Sequence, residues 1–256
     1  MADLGFKGCR VIITGGTSGI GLGIAEAFLQ EGAVIGLIAR SVNGLSDTYA
    51  KLKARFADAD IFFASADVSD EASVKEAINE LVLLMGGLDH LVVNAGIDGE
   101  MGALLRDISA ENFCRVLDVN VVGAFFSAKA AVDFLEKSHN ATVTFIGSDS
   151  GFVANAGMLA YNASKGAIVQ LTRALSVELY DLAAIRVNSV CPSIVDTPMA
   201  RKGLGVNSLD DAPFPVSEPK DIAYLVLSLA SAHARAVNGV SLLADYGYHA
   251  RSSFPA

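Results

Sequence analysis

Tyr161 and Lys165 are the residues of this chain whose types and spacing point most directly to proton chemistry. They stand four positions apart at the start of a predicted helix, so their side chains share one helix face. Tyrosine, with an ordinary pKa of about 10, is a poor acid or base near neutrality. A nearby ammonium favours the phenolate and lowers that pKa. Such a pair can donate a proton to a carbonyl that is being reduced, or remove one from an alcohol.

Ser148 supports a catalytic role for this pair. That support is needed because the Tyr-x-x-x-Lys spacing alone arises by chance in many helices. Ser148 follows a predicted strand at 142–147. Ligands of α/β sheets bind at the carboxyl ends of the strands, so the Ser148 hydroxyl could hold the oxygen that Tyr161 protonates. A serine in this position is otherwise an ordinary turn residue.

A glycine-rich turn from Thr14 to Gly21 follows the first predicted strand and leads into a helix. Glycines let the backbone turn tightly and approach a ligand, and the free N–H groups of a helix start face an anion. Such a turn by itself can be a mere connection, but its place after the first strand favours a dinucleotide phosphate. A Walker A loop is excluded, because Leu22 and Gly23 stand where Lys and Ser/Thr are required.

Arg40 lies at the end of the second predicted strand, where a dinucleotide fold meets the adenosine ribose. An acid at this point accepts a hydrogen bond from the ribose 2′-OH, whereas a basic residue suits a 2′-phosphate. The segment 38–41 carries no acid. The sequence therefore predicts a preference for NADP(H), with NAD(H) as the alternative if Arg40 is only a solvated strand-end charge.

Short apolar runs alternate with longer amphipathic segments along the whole chain. The runs predict seven strands, at 10–14, 33–39, 61–66, 90–95, 142–147, 186–191 and 240–243. The amphipathic segments predict helices at 20–31, 45–56, 71–85, 111–136, 161–180 and 219–229. Strand and helix in alternation indicate an α/β fold, a parallel sheet with helices on both faces.

Local signals set some boundaries of these elements. Ser69 is the expected N-cap of the third helix, and Pro219 suits the start of the last one. No shift in composition marks a second domain, so residues 1–256 are expected to form one domain. The Gly- and Pro-bearing segment 198–217 is expected to be a loop that covers the substrate as a lid.

Composition narrows the class of protein. The 256 residues are 52% hydrophobic and 18% charged, enough for a large core, and the net charge of -9 argues against a nucleic-acid partner. Cys9, Cys114 and Cys191 form neither a disulfide framework nor a metal pattern, which suggests reduced thiols and no metal site. Residues 1–4 do not open a signal peptide, and charge breaks every apolar stretch before membrane-spanning length. A soluble cytoplasmic protein without membrane contact is expected.

With these residues in the order given, the chain closely resembles the short-chain dehydrogenase/reductase family over nearly its full length. The matching positions are Thr14, Gly15, Gly19, Gly21, Asp67, Val68, Asn94, Ala95, Gly96, Asn120, Ser148, Tyr161, Lys165 and the segment 192–197. The resemblance implies a single Rossmann-type, doubly wound, seven-stranded parallel sheet with helices on both faces. It also implies a homo-oligomer, a tetramer or a dimer.

The resemblance implies a role for each matching position. Tyr161 would be the acid/base, Lys165 would bind the nicotinamide ribose and lower the Tyr161 pKa, and Ser148 would orient the substrate carbonyl. Asn120 would hold a water that links Lys165 to solvent. Asp67 would bind the adenine amino group, Val68 would add a backbone contact, Asn94, Ala95 and Gly96 would line the adenosine ribose, and Val195 and Thr197 would contact the carboxamide. The remaining cofactor contacts would be Gly15, Thr17, Ser18, Gly19, Ile20, Gly21 and Pro192.

Three positions depart from the family pattern. Val93 and Ser193 replace a frequent asparagine and the usual glycine, and Tyr246 interrupts a frequent Asp-Gly-Gly. The substitution at Ser193 puts the local backbone path near the nicotinamide in doubt. None of the three removes a catalytic group.

Apolar residues near the reacting centre suggest a neutral, moderately hydrophobic ketone or secondary alcohol as substrate. They are Phe152, Val153, Met158, Leu159 and Met199, with Phe214 from the lid. Several of them could equally pack in the core or at a subunit contact.

Three other functions stay open. Reduction of 3-oxoacyl thioesters on acyl carrier protein is common in the family, but Val177 stands where such reductases often carry arginine. The acidic Asp210 and Asp211 of the lid weaken that reading further. A non-catalytic NADP(H) sensor or scaffold would not need the set of Ser148, Tyr161 and Lys165, and a protein-interaction module has only the expected oligomer surface in its favour.

Overall fold

Residues 4–251 are described by a computed structural model of the chain. Residues 1–3, where no signal peptide is expected, and residues 252–256 lie outside this range. No helix within 4–251 is both long and apolar enough to span a bilayer.

Seven parallel strands form one sheet in the order β3-β2-β1-β4-β5-β6-β7. They are β1 (Arg10–Thr14), β2 (Val34–Ala39), β3 (Ile61–Ser65), β4 (His90–Val93), β5 (Thr142–Ile146), β6 (Arg186–Pro192) and β7 (Ser241–Ala244). The strand order reverses between β1 and β4, which opens a crevice at the carboxyl ends of these two strands. The predicted doubly wound, seven-stranded parallel sheet is confirmed.

Eight α-helices accompany the sheet among the described residues. They are α1 (Gly19–Gln30), α2 (Val42–Arg55), α3 (Glu71–Met85), α4 (Ala110–Leu117), α5 (Gly123–Leu135), α6 (Leu159–Ala183), α7 (Pro198–Leu204) and α8 (Pro219–Ala230). Two apolar clusters cover the two faces of the sheet, one with α3, α5 and α6 and the other with α1, α2 and α8. Because both faces are covered, the strands are almost continuously apolar, as the sequence pattern indicated.

The helix predicted at 111–136 is one helical stretch from Ala110 to Leu135, but it is not an α-helix throughout. The segment Asp118–Val122 between α4 and α5 is a π-helix, a form that appears mostly as short bulges at functional sites. Asn120 lies in this segment. The sequence does not reveal the π-helical segment, because one extra residue per turn leaves no clear mark on an apolar pattern.

Two further boundaries differ from the prediction. The N-cap of α3 is Asp70, whose carboxylate accepts from Ala72 N and Ser73 N, and not Ser69. The segment 198–217 is not a loop throughout, because its first residues form α7. That short helix starts at Pro198, with Thr197 as its N-cap, and ends at Gly205 in the left-handed region.

Candidate active site

A cavity of about 850 Å³ lies at the carboxyl ends of the strands. The glycine-rich turn and Arg40 line one end of it, and Ser148, Tyr161 and Lys165 line the other. Of the predicted site residues, those that line the cavity are Gly15, Thr17, Ser18, Gly19, Ile20, Arg40, Asp67, Val68, Asn94, Ala95, Gly96, Ser148, Tyr161, Lys165, Pro192, Val195 and Thr197. Gly21 and Asn120 do not line it; both pack behind its wall.

The turn between β1 and α1 is held in place by side chains of its neighbours. Thr14 Oγ1 accepts from Asn94 N (3.0 Å) and Ala95 N (3.1 Å). Asn94 Nδ2 in return donates to Thr14 O (3.1 Å) and Gly15 O (3.0 Å). A Cβ on Gly21 would lie only 2.3 Å from Gly15 O, so glycine is required there. Asn94 therefore fixes the turn with its amide, besides lining the cavity.

The start of α1 is open to an anion. Its N-cap, Ser18, makes no side-chain cap hydrogen bond, whereas Ser41 caps α2 and Asp70 caps α3. Ser18, Gly19 and Ile20 all line the cavity. The N–H groups at this helix end can thus serve a diphosphate, as the positive end of the helix dipole favours. The turn fits a dinucleotide.

Arg40 and Asp67 lie at the adenosine end of the cavity. The Arg40 side chain is exposed, and its carbonyl accepts from Ser65 Oγ at 3.0 Å. Asp67 Oδ1 accepts from Ser69 N (3.0 Å) and Ser69 Oγ (2.7 Å). The hydrogen bond from the Ser69 hydroxyl lowers the Asp67 pKa, and the charge of Arg40 acts in the same direction. Asp67 Oδ2 remains available to a donor such as an adenine amino group.

At the other end of the cavity Ser148 and Lys165 are buried, and Tyr161 beside them is half-buried. Ser148 Oγ donates to Asp149 Oδ1 (3.0 Å) and accepts from Ser150 N (3.1 Å). Lys165 Nζ donates to Ile146 O (2.9 Å) and lies 5.5 Å from the centre of the Tyr161 ring. The structure thus brings the predicted set of Ser148, Tyr161 and Lys165 to one point of the cavity.

Burial sets the pKa values of this group. It raises the pKa of Tyr161 to about 12, although a hydrogen bond with Ser148 acts in the opposite direction. Burial also lowers the pKa of Lys165 to about 8. Burial has the largest effect on the Tyr161 pKa and favours the neutral phenol. The lowering of this pKa by Lys165 stays a prediction.

Asn120 is a brace between two elements of the site. Its Oδ1 accepts from Ile97 N (2.8 Å), and its Nδ2 donates to Ile97 O (2.9 Å) and Ser164 Oγ (3.0 Å). Ser164 Oγ donates in turn to Tyr161 O at 2.8 Å. Both amide protons are committed, which leaves the Asn120 side chain no donor for the water implied by the resemblance. The π-helix presents this amide to the loop after β4.

The substrate end is less apolar than predicted. Met158 and Met199 line the cavity, but Phe152, Val153, Leu159 and Phe214 do not. The first three of these are about two-fifths exposed on the surface. Lining residues that were not among the predicted site residues include Asp98, Met101, Asp149 and Asn155. Asp149 could have been found from its place next to Ser148, and Asp98 from its place two residues after Gly96.

Residues 10–204 match the model of the short chain dehydrogenase family. The chain is 37% identical over 247 residues to 2-(S)-hydroxypropyl-CoM dehydrogenase 3 of Xanthobacter autotrophicus, covering 93% of this chain and 95% of that protein. It is 32% identical to the NADP-dependent (R)-specific alcohol dehydrogenase of Lentilactobacillus kefiri, covering 96% of this chain and 98% of that protein.

Solved structures agree with these sequence matches. The crystal structure of levodione reductase superposes with a TM-score of 0.89 at 30% identity, covering 96% of this chain and all of that one. The family match spans well over half of the chain, and the cavity holds both the dinucleotide turn and the Ser-Tyr-Lys set. This chain belongs to the short-chain dehydrogenase/reductase family and is an NAD(P)-dependent oxidoreductase of CH–OH and C=O groups.

Proposed function

We propose that the chain interconverts a neutral, moderately hydrophobic ketone and its secondary alcohol with NADP(H). The observation that carries the proposal is a single cavity that joins an uncapped α1 start and Arg40 at one end to Ser148, Tyr161 and Lys165 at the other. Relatives named for hydroxypropyl and alcohol substrates support a small secondary alcohol. The side chains of Met101, Met158 and Met199 support an apolar substrate body.

The chain's own residues handle the proton, while the bound nicotinamide supplies the hydride in reduction and accepts it in oxidation. Tyr161 donates its hydroxyl proton to the carbonyl oxygen in reduction and takes it back in oxidation. Ser148 orients that oxygen, and Lys165 binds the nicotinamide ribose. Asn120 keeps Ile97 and α6 in register, so that Tyr161 stays next to Ser148.

Preference for NADP(H) rests on Arg40. Arg40 lines the cavity, as Thr17, Ser18 and Ser41 do, and no carboxylate stands at positions 40–43 directly after β2. A 2′-phosphate at this point would meet a cation, whereas a bare ribose would lack the usual acidic acceptor.

The remaining parts of the proposal concern the whole protein. Residues 1–256 form one domain, with 198–217 as its lid over the substrate. The protein is cytoplasmic and assembles as a homo-oligomer, a tetramer or a dimer. Exposed apolar side chains on α6, among them Val177 and Leu182, support the assembly.

An activity screen tests this proposal. A panel of simple ketones, cyclic alcohols and acetoacetyl thioesters is offered with NADP(H) and with NAD(H), and the products are identified. We expect turnover of neutral ketones or secondary alcohols, faster with NADP(H). Efficient turnover of acetoacetyl thioesters alone would replace the proposal with the acyl carrier protein reading. Cofactor binding without any turnover would favour the sensor.

A further inference from the structure

Asp149 follows Ser148 directly and opens the short 3-10 turn Asp149–Gly151 that lines the cavity. Its carboxylate accepts the Ser148 hydroxyl proton at 3.0 Å. Within residues 4–251, that bond is the one hydrogen bond made by the carboxylate, which has no ion-pair partner there. The Asp149 carboxylate thus accepts its hydrogen bond from the hydroxyl of a catalytic candidate, Ser148.

The Ser148 hydroxyl has one proton and two groups that need it. While Tyr161 is a neutral phenol, the Asp149 carboxylate is the stronger acceptor, because hydrogen bonds to an ionised group are about twice as strong as neutral ones. A Tyr161 phenolate could take this hydrogen bond only if the bond between Ser148 and Asp149 is given up. While Asp149 holds the proton, Ser148 Oγ can only accept, and it does so from Ser150 N at 3.1 Å. In this state Ser148 can accept a hydrogen bond from the Tyr161 phenol but cannot donate one to a Tyr161 phenolate.

Four titratable groups surround the phenol. Asp149 approaches from the 3-10 turn, Asp98 from the loop after β4, Cys191 from β6, and Lys165 from α6 itself. The charges of Asp149 and Asp98, together with Cys191, raise the pKa of Tyr161. Of these groups, Asp149 is the one hydrogen-bonded to Ser148.

We propose that Asp149 is a positioning residue that holds the Ser148 proton before substrate binds and so keeps Tyr161 in its proton-donating form. A bound carbonyl oxygen then accepts the hydrogen bond from Ser148 in place of Asp149. The consequence, which rests on the proposed function, concerns the pH dependence of both reactions. With Asp149 present, carbonyl reduction extends to a higher pH, and alcohol oxidation begins at a higher pH, than they would with Ser148 and Tyr161 but no Asp149. Asp149 acts through Ser148 and needs no contact with the substrate.

Three variants test this inference. Asp149→Ala removes both the acceptor and the charge, Asp149→Asn keeps a neutral acceptor, and Asp98→Asn removes a charge that has no hydrogen bond to Ser148. The measurement is the pH profile of kcat/KM for alcohol oxidation and for ketone reduction. We expect the limb of both profiles to move down by about one pH unit in Asp149→Ala, because the acceptor of the Ser148 proton and a charge close to the phenol are both lost. The shift should be smaller in Asp149→Asn and smallest in Asp98→Asn.

A titration without substrate gives a second readout. Tyrosinate absorbance in the complex with oxidised NADP, with Tyr161→Phe as the reference, reports the ionisation of Tyr161 directly. The Tyr161 pKa should fall most in Asp149→Ala, less in Asp149→Asn and least in Asp98→Asn, as in the pH profiles.

The inference would be overturned if the pH profiles of both Asp149 variants coincided with that of the wild type. It would also be overturned if kcat fell equally at every pH and the limb of the profile stayed at its wild-type pH. Equal shifts in Asp98→Asn and Asp149→Asn would also overturn it, because charge alone would then explain the effect. If Asp149→Ala does not fold, Asp149→Asn and the absorbance titration carry the test. Absence of turnover in the wild type would refute the proposed function instead, and the titration would still decide the role of Asp149.

Discussion

Replacing Gly21 by alanine should damage the cofactor site through a defined clash. The new Cβ would lie 2.3 Å from Gly15 O and 2.5 Å from Asn94 Nδ2. Ordinary contact begins at 3.4 Å, so Gly15 O has to retreat by about 1.1 Å, the difference between these two distances. That movement breaks the hydrogen bond of 3.0 Å between Asn94 Nδ2 and Gly15 O. The turn that would hold the diphosphate is then displaced by about 1 Å, a misplacement that in an active site can lower the reaction rate roughly 10²-fold.

Gly23→Ala is the matched control for this prediction. Its Cβ would lie 2.8 Å from Pro219 Cβ, in the contact between α1 and α8, and Gly23 does not line the cavity. Overpacking should cost either variant about 1–3 kcal/mol in the free energy of unfolding. Only Gly21→Ala should weaken cofactor binding, by about ten- to hundredfold in Kd, since about 1.4–2.7 kcal/mol of charge-assisted hydrogen bonding is lost.

Calorimetric titration with NADPH gives the Kd values, and urea denaturation gives the unfolding free energies. A wild-type Kd in Gly21→Ala would refute the assignment of the turn to the diphosphate. An equal loss of affinity in Gly23→Ala would show that the effect comes from destabilised α1 packing rather than from the turn.

Three further predictions concern Arg40, the buried His90 and the bracing side chain of Asn120. Arg40→Gln should raise the Kd of NADPH about tenfold or more and leave that of NADH within about twofold, since a charge-assisted contact to the 2′-phosphate is lost; equal effects on both, by calorimetry, would contradict this role. Burial lowers the pKa of His90 from 6.5 to about 4, so stability that is complete above pH 6.5 should fall by about 3 kcal/mol as the pH drops from 6.5 to 4. His90→Gln should lack this part of the decline in urea denaturation, and an unchanged slope against pH would show that His90 is not its source. Asn120→Ala removes the three hydrogen bonds to Ile97 and Ser164, so the free energy of unfolding should fall by about 2–4 kcal/mol; an unchanged value by the same method would rule out the brace.

Much of this site could be predicted because it depends on local patterns. The strands at 10–14, 61–66 and 186–191 were placed within one or two residues of β1, β3 and β6. In a parallel sheet the carboxyl ends of the strands meet at one edge, so Gly15 and Ser148 had to come together in one cavity. Periodicity and turn chemistry were sufficient for that step.

The rest depends on contacts that no local pattern records. The π-helix at Asp118–Val122 is stabilised by the bonds of Asn120 to Ile97, which is distant in sequence. The pKa of Tyr161 depends on how completely the fold removes water around the phenol, and spacing to Lys165 does not reveal this.

Helix α7 is a different case, because its signals were present in the sequence. Thr197 and Pro198 mark its start and Gly205 its end. The surrounding glycines and prolines of the segment 198–217 obscured a helix of two turns, which capping and packing stabilise more than helix propensity does.

The exchange of Tyr161 for phenylalanine tests the central claim most directly, because it removes one hydroxyl and leaves the ring in place. If Tyr161 is the acid/base, kcat/KM for ketone reduction should fall by about 10²- to 10⁴-fold, while the Kd of NADPH from calorimetric titration stays within about twofold. A loss of activity of less than about tenfold, with the cofactor bound as before, would contradict the account. Such a loss is smaller than the contribution that general acid–base catalysis makes to the rate.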